Sequence, residues 1–330
     1  MRQLLQVLIL SAGMTSVVAV RPANERFPRW PASFFAQSDV GLPAADVDPG
    51  FAPVVGTVKR YVVRTGDTLL RIARHSNTDA SSIARLNDLG GGHVKPGRRL
   101  LLPTKHILPS VRRSGIVLNI PERGVYLFRR GKIVARFPVA VGMRTWETPI
   151  GTYKVVRKVK NPAWIPPKTM VKREGIPASL VKPGPANPLG DRWIGWSAPE
   201  VGFHSTSLVD TVGRLASHAC VRMYPESAHR LFDSVPVGTP IYAEYEPVKL
   251  GKQGGVVYLS VSPDVYHRHE LSVESVLERL EAAGLTGQVD EARIRRIVAR
   301  QDGYPWPIAW ERAGVAASGP PARIASRATH

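Results

Sequence analysis

A single cysteine in 330 residues, Cys220, excludes any internal disulfide framework, because a lone thiol has no partner within its own chain. Blocks of like charge are equally missing. The 45 Lys and Arg exceed the 26 Asp and Glu by a formal +19, yet the excess is spread along the chain. With no zinc-finger spacing and no aromatic-basic RNA motif, nucleic acid is not the expected partner. The positive charge reads instead as a solvated surface with weak attraction to a polyanionic envelope. Gly-x-Ser-x-Gly and His-Glu-x-x-His do not occur, which removes the serine-hydrolase elbow and the zinc-protease helix. Ser179-Leu180-Val181-Lys182 has the Ser-x-x-Lys form but no Lys-Thr-Gly partner. His267 and His269 lack a second ligand cluster, so no metal is expected.

What is present begins with Arg2 and an apolar run from Leu4 to Val20, with small residues in Val17-Val18-Ala19. This predicts a signal peptide over residues 1–19 and an exported protein that meets a membrane only through that segment, if it is left uncut. Residues 20–58 carry six prolines among small and polar residues without periodicity, the pattern of a linker. Residues 313–330, rich in Ala, Ser, Pro and Arg, are expected to be a disordered tail.

Between these lie three segments of different texture. Residues 60–104 predict a strand at Tyr61–Val63, a helix with Asp67 as N-cap and Leu69, Ile72 and Ala73 inward, a second helix with Ile83 and Leu86, and a strand at Arg99–Leu102. Residues 114–159 alternate through Ile116, Leu118, Ile120, Val125, Leu127, Ala135, Phe137, Val139 and Val141, which predicts an antiparallel, half-buried sheet. Residues 161–202 hold eight prolines and little periodicity, the signature of a functional loop or lid. Pro225 opens a helix running to about Asp233, and a strand follows at Ile241–Tyr245. An accessory α+β region over 247–312 should contain a strand at Val256–Val261 and helices near Val273–Ala283 and Glu291–Gln301.

An unpaired thiol in an exported chain directs attention to its neighbours. A thiol is a strong nucleophile only as thiolate, and an ordinary pKa of about 8.5 leaves little of that form at neutral pH. It needs a base. His204 and His218 are candidates, the first approaching from an adjacent strand, the second on the same face of Cys220's own strand. Arg222 adds positive charge to that face.

Two resemblances cover residues 60–246. The first segment, with Gly66-Asp67-Thr68-Leu69, Arg85-Leu86-Asn87 and Pro96-Gly97-Arg98-Arg99-Leu100-Leu101-Leu102-Pro103, resembles a LysM module. That resemblance implies binding of N-acetylglucosamine-containing glycan, with Gly66, Asp67, Thr68 and Asn87 as contacts. The stretch 114–246 resembles the L,D-transpeptidase catalytic domain (YkuD or ErfK type) in Thr148-Pro149-Ile150-Gly151-Thr152-Tyr153, Asn161-Pro162-Ala163-Trp164, Asn187-Pro188-Leu189-Gly190, His204, Ser217-His218, Cys220-Val221-Arg222 and Pro236-Val237-Gly238-Thr239-Pro240. It implies a mainly β catalytic domain of β-sandwich type beside a βααβ module, in the periplasm. Cys220 would attack a peptidoglycan tetrapeptide stem with loss of D-alanine, and His204 would donate and accept the proton. Ser217 and His218 would shape the site, and Ser205, Ala219, Arg222 and nearby backbone N–H groups would serve the oxyanion or substrate. The implied partners are glycan strands, peptide stems and an envelope lipoprotein as alternative acyl acceptor, with no cofactor.

One departure stands out: the family places glycine where this chain has Ala219. A positive φ there would cost alanine about 1 to 2 kcal/mol. The alternatives are a catalytically impaired wall-binding protein, or an L,D-carboxypeptidase or crosslink hydrolase in which water resolves the acyl-enzyme.

Overall fold

The computed structural model describes residues 50–310 apart from 91 and 112. The expected signal peptide, most of the linker and the tail fall outside the described residues. The chain begins with β1 (Ala52–Val55) and then builds a small unit from β2 (Lys59–Val62), α1 (Leu69–His75), α2 (Ala80–Leu86) and β3 (Arg99–Leu102). β2 and β3 pair antiparallel over a core of Val63, Leu69, Ile72, Ala73, Ile83, Leu100 and Leu102. Thr68, not the expected Asp67, caps α1. The Thr68 hydroxyl accepts the Arg71 N–H at 3.1 Å, whereas the Asp67 carboxylate, one position early, takes the Arg64 N–H and the Tyr61 hydroxyl.

β4 (His106–Ile107) returns the chain beside β1. The catalytic region follows as β5 (Gly115–Asn119), β6 (Gly124–Arg129), β7 (Lys132–Gly142), β8 (Gly151–Lys160), α3 (Lys168–Glu174), β9 (Arg192–Trp196), β10 (Gly202–Ser205), β11 (Leu215–Ser217), β12 (Val221–Met223), α4 (Pro225–Ser234) and β13 (Pro240–Glu244). Two sheets share their corner strands. The first half of β7 pairs with β6, and its end pairs with β12 and β11. β8 likewise pairs with β13 at its start and with β9 beyond an irregularity near Val155. Strands that switch sheets in this way make the corners of a β-sandwich. Its interior is filled by Ile116, Leu118, Phe137, Val139, Phe203, Val221 and Met223, closed on one side by Ala228, Leu231 and Phe232 of α4.

The antiparallel pairing expected over 114–159 is found between β5, β6 and β7; strands from outside that segment add the parallel pairs β5–β13, β7–β11 and β10–β12. The half-buried part of the expectation is corrected. β5 is buried on both faces, because Val117, Tyr126 and Phe128 meet Leu108 in a second cluster behind the first sheet. The segment 161–202 is also more ordered than expected, since it contains α3, β9 and a bridge between Trp164 and Val181.

The C-terminal unit comprises β14 (Val248–Gln253), β15 (Val256–Val261), α5 (Val273–Ala282), α6 (Glu291–Arg300) and β16 (Trp306–Trp310). Its sheet runs β16-β15-β14-β1-β4, so residues 52–55, read above as linker, form a strand in the C-terminal sheet. Gly251 allows this, since a Cβ there would fall 2.8 Å from Val54 and 3.0 Å from the Ala52 carbonyl oxygen. The βααβ unit is therefore an insertion between two neighbouring strands. It is docked by Arg74, which makes paired hydrogen bonds of 3.1 and 3.0 Å to Glu226, and by Arg300, which donates to the Arg85 and Leu86 carbonyls and to Asp88.

Candidate active site

Cys220 sits immediately before β12, where the chain leaves β11. Register places His204 opposite Arg222 and Phe203 opposite Val221 on the parallel pair β10–β12. Residues two apart on a strand share a face, so His204, Arg222 and Cys220 converge on one side of the second sheet. His218 does not join them as expected. Ala219 has φ +70°, a left-handed residue that breaks the alternation between 218 and 220. The His218 ring turns to Glu174 on α3, Nε2 to Oε1 2.8 Å, and lies edge-on to Trp146.

The turn is closed by Ser217, whose hydroxyl donates to the Cys220 carbonyl. The Ala219 peptide is held on both sides: its N–H donates to the Trp146 carbonyl at 3.1 Å, and its carbonyl accepts the Thr148 hydroxyl at 2.9 Å. The Ala219 N–H is thereby engaged, which corrects the expectation that it serves an oxyanion. Ser205 is corrected too. Its hydroxyl points to the face opposite His204, donating to Asp191 Oδ1 at 2.8 Å and accepting the Asp191 and Arg192 N–H groups. Its contribution is its carbonyl, 2.8 Å from His204 Nδ1. A carbonyl only accepts, so Nδ1 carries the proton and Nε2 is left as the base nitrogen.

The electrostatics keep both His204 and Cys220 neutral. His204 is 4% exposed, and burial, reinforced by Arg222 against the Ser205 hydrogen bond, lowers its pKa from 6.5 to about 4. Burial raises the Cys220 thiol to about 11, although a hydrogen bond from the Gly202 backbone and the charge of Arg222 pull the other way. A neutral thiol and a neutral imidazole on one face have the protonation states that proton removal during attack requires, rather than those of a standing thiolate.

Residues not foreseen in the sequence complete the surroundings. The thiol donates to the Glu200 carbonyl at 3.5 Å. The Glu200 carboxylate accepts the Lys168 N–H at 3.3 Å and the Thr169 hydroxyl at 2.9 Å, tying the start of α3 to the strand beside the nucleophile. Arg173 donates to the Thr145 carbonyl and lies 3.9 Å from the Trp146 ring centre. Trp193 stacks on His204. The advance signal for this segment was the density of proline in 161–202.

In the βααβ unit, Gly66 and Thr68 are exposed and Asp67 half-buried. Asn87 is committed elsewhere: its side chain bonds the Ile83 carbonyl and both the N–H and the carbonyl of Leu101. It fastens α2 to β3 and is corrected from a glycan contact to a structural residue. Among the described residues no His, Cys, Asp or Glu group of three or more is arranged to hold a metal, and no helix is long and apolar enough to cross a membrane.

The sequence matches the L,D-transpeptidase (YkuD) catalytic domain over residues 113–242 and the LysM domain over residues 61–103. It is 36% identical over 161 residues to "Probable L,D-transpeptidase YbiS" of Escherichia coli K12, covering 47% of this chain and 52% of that protein. It is 30% identical over 233 residues to "Probable L,D-transpeptidase ErfK/SrfK" of Salmonella typhimurium, covering 66% of this chain and 75% of that one. The chain thus spans about half the length of the first relative and three-quarters of the second. The catalytic domain of the E. faecium L,D-transpeptidase aligns with 41% of this chain and 100% of its own, at 19% identity and a TM-score of 0.32.

Proposed function

This chain belongs to the L,D-transpeptidase family, and on that premise we propose that it is a periplasmic acyltransferase acting on peptidoglycan tetrapeptide stems through Cys220. The observation that carries the reading is the register of β10 on β12, which sets a neutral imidazole with a free Nε2 on the face that bears the thiol. His204 Nε2 takes the thiol proton as sulfur attacks the carbonyl before the terminal D-alanine. The same proton then goes to the departing D-alanine amine, leaving a thioester on Cys220. An acceptor amine attacks that thioester, gives its proton to His204, and the thiol is restored. A stem amine as acceptor yields a crosslink between third-position residues; a lysine of an envelope lipoprotein yields an attached protein.

Arg222, beside both groups, disfavours an imidazolium in the resting site and stabilises negative charge as it develops on sulfur. The LysM unit would bring glycan to the catalytic region through the exposed Gly66 and Thr68 and the adjacent Asp67. Incubation of the protein with purified tetrapeptide muropeptides tests the assignment. Dimers joined through third-position residues are the expected product; tripeptide alone would assign a hydrolase instead. Ala219 at positive φ favours one further reading, a slowed enzyme, which predicts the same products at reduced rate.

A further inference from the structure

The C-terminal unit reaches back to the nucleophile turn through one tyrosine. Asp264 accepts the Tyr245 hydroxyl and the backbone N–H groups of Arg268 at 3.0 Å and His269 at 2.8 Å. The Tyr245 hydroxyl accepts the Tyr266 N–H at 2.7 Å, and the two rings stack with centres 5.8 Å apart. Tyr266 is thereby held with its ring in the catalytic core, 6% exposed. Its hydroxyl donates to the Gly142 carbonyl at 2.9 Å and accepts the Thr148 N–H at 3.0 Å.

From there the bonds run to Ala219. The Thr148 hydroxyl accepts the Gly142 N–H at 2.9 Å and donates to the Ala219 carbonyl at 2.9 Å. The Trp146 carbonyl of the same loop accepts the Ala219 N–H. The loop is folded so tightly on Gly142 that a Cβ there would lie 2.0 Å from the Trp146 carbonyl oxygen. Arg144 donates to the Val265 carbonyl at 3.0 Å, and Arg268 pairs with Glu147. The segment 264–268 and the loop 142–148 are thus bound to each other along their length.

We propose that Tyr266 is a positioning residue for Cys220: by fixing the 142–148 loop it holds Ala219 in the left-handed conformation that aims the thiol. Left-handed backbone is disfavoured for alanine and free for glycine, so the turn at Ala219 requires outside support, and both bonds to its peptide come from this loop. The accessory region then has a role in catalysis without touching substrate. The inference rests on Cys220 being the nucleophile.

Two readouts in the full-length protein test it: the rate at which a carbapenem adds to Cys220, followed by mass spectrometry, and hydrogen exchange at the Ala219 amide. Tyr266→Phe keeps the ring and removes only the hydroxyl. It should acylate roughly tenfold more slowly than wild type, because misplacing a reacting atom raises the barrier more than it weakens binding, and should speed Ala219 exchange. In an Ala219→Gly background, where the turn needs no support, the same substitution should lose less than about threefold. An unchanged rate in Tyr266→Phe, or an equal loss in both backgrounds, would overturn the proposal. If Tyr266→Phe does not fold, Thr148→Val, which removes the two hydroxyl bonds joining Gly142 and Ala219, carries the same comparison. Absence of any adduct on wild-type Cys220 would sink the functional reading by itself, and amide exchange would still decide the positioning role.

Discussion

Among the described residues, two groups of ionisable side chains invite comparison: one pairs the half-buried Cys220 with the buried His204, and the other is buried around Glu122. In the second, the Glu122 carboxylate accepts Lys249 Nζ at 2.7 Å, Arg136 Nη2 at 3.5 Å, Asn119 Nδ2 at 3.3 Å and the Tyr126 hydroxyl. Burial alone would raise its pKa, but Lys249 and Arg136 hold it far below the usual carboxylate range, and Lys249 is raised in return. At Cys220 and His204 the charge felt by both groups is that of Arg222, which has the same sign as an imidazolium, while Glu200 acts on the thiol as well. Burial keeps His204 neutral and the thiol protonated; Arg222 adds to that effect at His204 and opposes it at the thiol. Burial pushes every ionisable group towards its neutral form, and an opposite charge within hydrogen-bond reach decides whether it remains charged. One site keeps its charges fixed; the other holds neutral groups, as the proposed proton transfer requires.

The sharpest way to separate them is Cys220→Ala. It should abolish carbapenem acylation and muropeptide turnover while changing the unfolding free energy by no more than about 1 kcal/mol and leaving sacculus binding in place. Glu122→Gln should do the reverse. It strands Lys249 and Arg136 without their carboxylate and is expected to lose about 3 to 5 kcal/mol of stability in urea unfolding. A loss below about 1 kcal/mol would mean that water reaches the cluster, and the contrast would fail.

Acid reads the same contrast by titration. The folded pKa of His204, about 4, lies below its ordinary 6.5, so between those values the unfolded chain binds the proton that the folded chain refuses. The contribution of His204 to stability is complete above pH 6.5 and is lost as pH falls towards 4. His106, lowered by burial and by Arg136, adds in the same direction. The carboxylate of Glu122 gives way only at lower pH. Urea midpoints measured from pH 7 to pH 4 should fall steadily, with a shallower fall in His106→Gln. Acylation of Cys220 should keep its rate well below pH 6.5, and an acid limb centred at 6.5 would contradict a buried neutral His204. The smallest effect belongs to Ala219→Gly, which relieves left-handed strain and should raise stability by about 1 kcal/mol.

Much of the candidate site was legible because chemistry constrains residue type locally. Cys220, His204 and Arg222 are reactive or charged side chains whose alternation along strands can be counted, and parallel register brought them together. The helix opened by Pro225 and the inward residues of the βααβ unit were legible for the same reason. Asp67, Asn87 and Ser205 were misjudged for one shared reason. Each is a polar side chain that bonds backbone groups nearby in space, Asp67 and Ser205 a side chain as well, and residue type does not say whether such a group faces solvent or its own fold. Glu174 and Glu200 left only the proline density of their segment as a signal and Tyr266 none, since their contacts on the turn at Cys220 span 44, 20 and, through Gly142, 124 residues of sequence.

By itself the sequence narrowed the candidate nucleophile to its one thiol and offered two histidines, His204 and His218, as its base, with the family resemblance favouring the first. It also determined that position 219 carries a methyl group. Only the tertiary structure decided what that methyl group means. Backbone torsion follows from contacts on both sides of a residue, and the φ of +70° at Ala219 is maintained by Trp146 and Thr148, themselves braced by a tyrosine beyond the catalytic sheet. The same holds for β1, whose four residues resemble linker until β14 and β4 supply the pairing that makes them a strand.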